Sequence, residues 1–360
     1  MQLFTSKQPL LVKNTKPSMK EKKVYDKAIA SAKETARVMD QESQIVSPKM
    51  EAAIPRFDRT EIHCDKLLGK GSFNRVFSVL KFDLTLKVKS LVQQERREMM
   101  AHNPHNFAVK LLQKKKSNQH FLQAAIDLLA EAKLLTSLEH PNIIQLYGIP
   151  ATGVYGFGEP GGFFLILDRL SCTLEDKLAL WQVQGNTSNL QRMEVLVPLA
   201  SALKYLHSKN CCFRDVKPGN IGFDAAGNLK LFDFGLCREL AHNEHLVDKT
   251  GTILYMAPEV YNHEPYDTSA DIYSFCMLMF EVLSCQLLFM QDFEERVILG
   301  GARPVVPESW PKLPASVMQK GWSKDPSRRP PMEVIHRVLA NYIMLNRPQR
   351  KEAQKRRPSL

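Results

Sequence analysis

With 360 residues, 44% of them hydrophobic and 24% charged, the chain is long enough to bury the cores of two lobes and too apolar to stay unfolded. Its net charge of +11 sits at the ends: residues 1–56 and 341–360 together supply ten of the eleven net charges, which argues against a basic nucleic-acid groove built into a nearly neutral body. Seven Cys without a C-x-x-C pair give neither a zinc spacing nor an even disulfide framework, and reduced thiols in a cytoplasmic or nuclear compartment are expected.

In chain order, the first twenty residues lack acids and carry four Lys, a faint transit-peptide signature. A helix-prone stretch follows from about Lys20 to Met39. Its sparse apolar positions, Val24, Ala28, Ala32 and Val38, could hardly bury a face alone, so residues 1–56 read as a flexible extension with a tail or docking helix. Residues 62–68, 75–80 and 107–112 read as strands. The charged segment 81–105 between the last two is longer than a hairpin needs and reads as a surface insertion or a site for a regulatory partner.

A helix from about Phe121 to Leu138 stops before His140-Pro141. Strand-like runs at Ile143–Tyr147 and Phe163–Leu167 flank a glycine-rich loop. Beyond Asp168 the pattern is helical, at 173–183, 189–209 and 268–284 and in shorter pieces to about 345. The apolar run Ile272–Met290 is broken by Glu281, Ser284 and Gln286, which suits a core helix and not a membrane span. Strands first and helices afterwards predict an α+β chain of two lobes, about 57–168 and 169–345, followed by a basic tail at 346–360.

Two glycine strings compete as phosphate cradles. Gly156-Phe157-Gly158-Glu159-Pro160-Gly161 matches G-x-G-x-x-G, but it contains Pro and leads into a strand, so it reads as a connection. Gly69-Lys70-Gly71-Ser72-Phe73-Asn74-Arg75-Val76 lies between two strands, with Asn74 at the third glycine position, where tolerance of positive φ would preserve the turn. Lys110 follows in the third strand and Glu131 on the next helix. An ammonium held by a carboxylate can grip the phosphates of a nucleotide.

Further on stand Phe213-Arg214-Asp215-Val216-Lys217-Pro218-Gly219-Asn220 and Asp233-Phe234-Gly235. Two carboxylates, an amide and an ammonium at this spacing are what moving a phosphoryl group from Mg-ATP to a hydroxyl requires. These residues resemble the catalytic and metal-binding loops of eukaryotic protein kinases, H-R-D-x-x-x-x-N and D-F-G, with Phe213 in place of His. Gly251–Glu259 resembles the end of their activation segment, with Glu259 expected to pair with Arg329. Asp271-Ile272-Tyr273-Ser274-Phe275 is similar to tyrosine-kinase-like Ser/Thr kinases, and the resemblance spans about residues 57–345.

The resemblance implies the bilobal protein kinase fold and a Ser/Thr protein kinase using ATP and Mg²⁺, acting on protein substrates, with neither nucleic acid nor a membrane span. A pseudokinase scaffold or regulatory nucleotide-binding module is the other reading. The kinase resemblance gives Asp215 the substrate proton, Lys217 the transferring phosphoryl, Lys110 and Glu131 the nucleotide phosphates, and Asn220 and Asp233 the metal. Gly69, Gly71, Asn74, Val76, Ala108, Lys110, Asp168 and Leu170 would line the nucleotide site. Lys217-Pro218 points to Ser/Thr hydroxyls.

Leu135, Leu146, Phe213 and Phe234 should stack between the lobes. Gly222 departs from the Leu usual under the adenine. Arg214 should dock Asp248 in place of a phosphate, with Thr250 nearby. The terminal Lys355–Leu360 reads as a disordered basic tail, a nuclear address or a modification site at Ser359.

Overall fold

The computed structural model describes residues 18–71, 73–112, 118–159, 161–185, 187–286, 297 and 300–347. Two helices lead in, α1 (Met19–Glu42) and α2 (Pro48–Ala53). The first lobe then builds one sheet from β1 (Arg56–Phe57), β2 (Ile62–Lys70), β3 (Asn74–Phe82), β4 (Phe107–Leu112), β5 (Leu146–Pro150) and β6 (Phe164–Asp168), in the order β1-β5-β6-β4-β3-β2. Only the β1–β5 pair is parallel. Helix α3 (Leu91–His102) lies between β3 and β4, and α4 (Asn118–Ser137) between β4 and β5.

All six residues of β4 are buried. Alternation along the strand sends Phe107, Val109 and Leu111 into a core with Phe57, Phe82, Phe164 and Met100 of α3, and leaves Ala108 and Lys110 on the other face. The charged insertion is therefore part of the lobe. Arg97 of α3, fully buried, meets the equally buried Glu61 at 2.6 Å and donates to the Leu86 carbonyl.

The leading segment departs from the flexible extension expected. Ser18 and Glu21 close a capping box at the start of α1, and Tyr25, Ala28 and Ala32 are buried in one core with Phe121, Ala125 and Leu128 of α4. Small alanines let the two helices approach closely, and tertiary packing supplies what an isolated helix could not. The first seventeen residues and the basic tail from 348 onward, including Ser359, lie outside the described residues.

The second lobe continues with β7 (Cys172–Thr173), α5 (Leu174–Gln184), α6 (Asn189–Ser208), β8 (Cys211–Cys212), β9 (Ile221–Phe223), β10 (Leu229–Leu231), β11 (Arg238–Glu239), α7 (Pro258–Tyr261), α8 (Ser269–Ser284), α9 (Lys312–Gly321) and α10 (Met332–Asn346). Residues 270–283 of α8 are buried without interruption, so this helix is the core around which the lobe is laid. No helix of the described residues is long and apolar enough to cross a membrane. The G-x-G-x-x-G string falls in the β5–β6 connection, where Phe157 stacks on Phe163 with centroids 4.1 Å apart and Gly158 lies beside Ile29 of α1.

Candidate active site

Because β4 alternates, Lys110 faces the cleft between the lobes while remaining 6% exposed. Its Nζ donates to Glu131 Oε2 on α4 at 2.6 Å and to Asp233 Oδ1 at 2.7 Å. Burial opposes the charge, but the two carboxylates outweigh it and hold the Lys110 pKa above its ordinary value. The Lys110 ammonium in turn keeps the Asp233 carboxyl below the usual range. Three distant segments thus meet in one charge cluster.

The loop after β8 gathers the remaining groups. Asp215 Oδ2 accepts from Lys217 Nζ at 2.7 Å and Asn220 Nδ2 at 2.8 Å, and Asn220 Nδ2 also reaches the Asp215 carbonyl. The Thr252 hydroxyl donates to Asp215 Oδ1 at 2.7 Å and accepts from Lys217 Nζ at 3.0 Å. Thr252 is not among the site residues expected, although its place directly after Gly251 in the activation-segment motif carried the signal.

This loop hangs from the buried Asp271 of α8, whose carboxylate accepts from the amides of Phe213 (2.7 Å) and Arg214 (2.8 Å) and pairs with His207 at 3.0 Å. Arg214 and Asp233 both hold left-handed backbones, φ +70° and +66°, which non-glycine residues keep only where their surroundings force it. Asp271 supplies that constraint for Arg214. Gly251, at φ +114°, presses on the same loop: a Cβ there would lie 2.4 Å from the Arg214 carbonyl oxygen.

Phe213 and Phe234 meet edge to face at 5.2 Å, fully buried, in one core with the buried Leu135 and Leu146. The space beside Gly222 is filled from an unexpected direction. A Cβ on Gly222 would stand 2.5 Å from Leu170 Cδ1 and 3.2 Å from Phe232, so Leu170 and the glycine are complementary in shape.

Ala108 is buried and Val76 partly so, on paired strands. Gly69 pairs with Val76 at the end of β2, and the Gly71 amide donates to the Asn74 carbonyl at 2.9 Å; Ser72 lies outside the described residues. Asn74 opens β3 opposite Leu112 and has no positive φ, so the turn does not call on the tolerance expected of it. The Asp168 carboxylate is committed to the Gln145 amide (2.8 Å) and the Tyr147 hydroxyl (2.9 Å), with Lys230 at 3.5 Å. Anything it offers a nucleotide must come from its main chain.

A model of the protein kinase domain matches residues 62–339, more than half of the chain. The chain belongs to the protein kinase family. Among relatives, it is 31% identical to ribosomal protein S6 kinase alpha-1 of Rattus norvegicus over 71% of this chain and 31% of that protein. It is 32% identical to ribosomal protein S6 kinase 2 alpha of Gallus gallus over 67% of this chain and 29% of that one. A probable serine/threonine-protein kinase of Dictyostelium discoideum is 25% identical over 82% of this chain and 20% of its own length. The chain therefore spans between a fifth and a third of the length of these relatives.

In this kinase domain the segment after Asp233 is tied back at several points. Arg214 Nη1 reaches Asp248 Oδ2 at 2.8 Å, and the Thr250 and Tyr266 hydroxyls donate to the same carboxylate. Burial opposes the charge, but Thr250 and Arg214 outweigh it and hold the Asp248 carboxyl below its ordinary pKa. Asp248 is half exposed, so solvent screens the pair. Asp248→Ala is expected to reduce kcat/KM by up to about fivefold, equivalent to about 1 kcal/mol, and Thr250→Ala by less; steady-state phosphorylation of a peptide measures both.

Deeper in the lobe, Tyr255 donates to Glu281 of α8 at 2.5 Å. Burial raises the Glu281 pKa from 4.5 to about 7; the Tyr255 hydrogen bond opposes the shift and Glu175 adds to it. The folded state thus favours the protonated acid. Its contribution to stability, up to about 3 kcal/mol, is complete below the unfolded pKa and is lost as pH rises through 7. Urea unfolding between pH 4.5 and 8 should show this loss in the wild type and a flatter profile in Glu281→Gln.

Proposed function

We propose that this chain transfers the γ-phosphoryl group of Mg-ATP to Ser and Thr hydroxyls of protein substrates. The observation that carries the reading is the environment of Asp215. Its carboxylate and the Lys217 ammonium are already arranged around an aliphatic alcohol, the Thr252 hydroxyl, at 2.7 and 3.0 Å. A base and a cation that accommodate that group can accept a substrate hydroxyl proton and offset charge on the phosphoryl oxygens. The probable serine/threonine-protein kinase among the relatives supports the same class of acceptor.

Asn220 and Asp233 are hard oxygen donors suited to Mg²⁺, because Asn220 spends its Nδ2 on Asp215 while Lys110 takes only Oδ1 of Asp233. When bound, the ion would neutralise phosphate charge. Glu131 orients Lys110, which binds the nucleotide phosphates, and Asp215 orients and deprotonates the attacking hydroxyl while Lys217 faces the transferring group. Positioning and electrostatics supply the rate, as this chemistry needs no covalent intermediate.

The test is transfer of label from γ-labelled ATP to a mixed Ser/Thr peptide library by the full chain with Mg²⁺, beside Asp215→Asn. Label on Ser and Thr from the wild type alone supports the proposal. Equal counts from the two proteins sink it, and a Mg-ATP thermal shift without turnover would indicate a scaffold.

A further inference from the structure

The segment before the matched domain touches the helix that carries one Lys110 partner and the strand that follows the other. On α4, Lys133 lies two residues beyond Glu131. Two residues turn a helix by about 200°, so Lys133 projects from the opposite side to Glu131. It is 6% exposed, and both of its partners come from the leading segment: Asp40 at 2.7 and 2.9 Å, and Glu51 at 2.6 Å. Three residues past Asp40, the Ser43 hydroxyl donates to Glu239 of β11, and the Gln44 amide donates to the other oxygen of that carboxylate at 2.7 Å. Glu239 is six residues beyond Asp233, and β11 pairs with β8 immediately before Phe213. One short turn therefore grips the back of the helix that carries Glu131 and the strand that follows Asp233.

We infer that residues 18–54 are an intramolecular clasp for the catalytic cluster, with Asp40 and Ser43 as positioning residues that keep Glu131 and Asp233 in register around Lys110. The inference rests on the kinase reading only for its effect on rate. The two carboxylates belong to different lobes, and a shift of α4 by an ångström or two breaks a 2.6 Å contact. A link that favours the paired arrangement raises the fraction of molecules competent for transfer, and the effect is as large as its preference for that state. Buried alanines on α1 and the Tyr25–Phe121 contact, centroids 5.6 Å apart, hold the clasp against α4, while the Ser43–Glu239 link closes it.

Charge at the closing link separates positioning from bulk packing. Ser43→Asp sets a carboxylate against Glu239, and Ser43→Asp with Glu239→Lys restores an attraction there. Both are made in the full chain, with kcat, KM for ATP and backbone deuterium uptake as readouts. Ser43→Asp should lower kcat about tenfold and speed exchange in α4 and residues 233–239, and the double variant should recover most of both. Wild-type kcat and exchange in Ser43→Asp, or a double variant no better than the single, would overturn the clasp. Should the wild type transfer no phosphoryl group above Asp215→Asn, the kinase reading falls, and the exchange pattern of the three proteins alone decides the clasp.

Discussion

Lys110→Met is expected to reduce kcat by about 10²- to 10³-fold, the loss typical of removing one preorganised charge from a transition state. Its effect on stability is separable. The substitution preserves most of the side-chain volume but leaves Glu131, 1% exposed, without the ammonium 2.6 Å away. Removing one partner of a buried pair costs about 3–5 kcal/mol, because the other must stay charged in a poor environment or take up a proton. Adding Glu131→Gln removes that stranded charge. The double variant should unfold at a higher urea concentration than Lys110→Met while transferring phosphate no faster. Recovery of activity in the double variant would show that Lys110 serves only to neutralise Glu131.

Arg329→Ala should be the most destabilising single change in the second lobe. The guanidinium meets Glu259 through two parallel bonds of 2.5 and 2.8 Å, donates to the Ser323 and Ser269 carbonyls at 3.0 Å each, and lies over the Tyr273 ring at 5.2 Å. Truncation strands Glu259, 3% exposed, and frees two carbonyls, a loss of about 3–5 kcal/mol. Against a stability of about 5–15 kcal/mol this is severe, and the melting temperature should fall by about 10 °C. Arg329→Lys retains the charge but cannot form the two-pronged contact, so its melting point should lie between the other two. A melting point in Arg329→Ala within a degree of the wild type would mean that Glu259 is held by other groups.

The charged heart of the site was legible because its spacing is local. Asp215, Lys217 and Asn220 share one loop, Asp233 opens the next turn, and the alternation of β4 assigns Lys110 to the cleft. Helix α8 was equally plain, since a mostly apolar run long enough for a helix has few other places to go. What stayed hidden depends on partners far along the chain. Arg97 reads as one more surface base until Glu61 is found beside it. Gly222 reads as a vacancy until Leu170 is seen to fill it. Val24, Ala28 and Ala32 look too small a face to bury, because the sequence does not reveal that α4 offers a surface shaped to receive small side chains.

The long reach of the leading segment also bears on how the chain matures. Asp40 is 93 residues from Lys133, and Ser43 is 196 from Glu239, so the clasp is synthesised well before either of its seats exists. Until α4 has been made, α1 must wait in water with its inner face uncovered. Its most deeply covered residues, Tyr25, Ala28 and Ala32, are mostly small, which suits that wait because they offer little to aggregation or to chaperones until α4 emerges. The closing bond needs Glu239 in place on β11, beside β8, so it joins the leading segment to a part of the chain made much later.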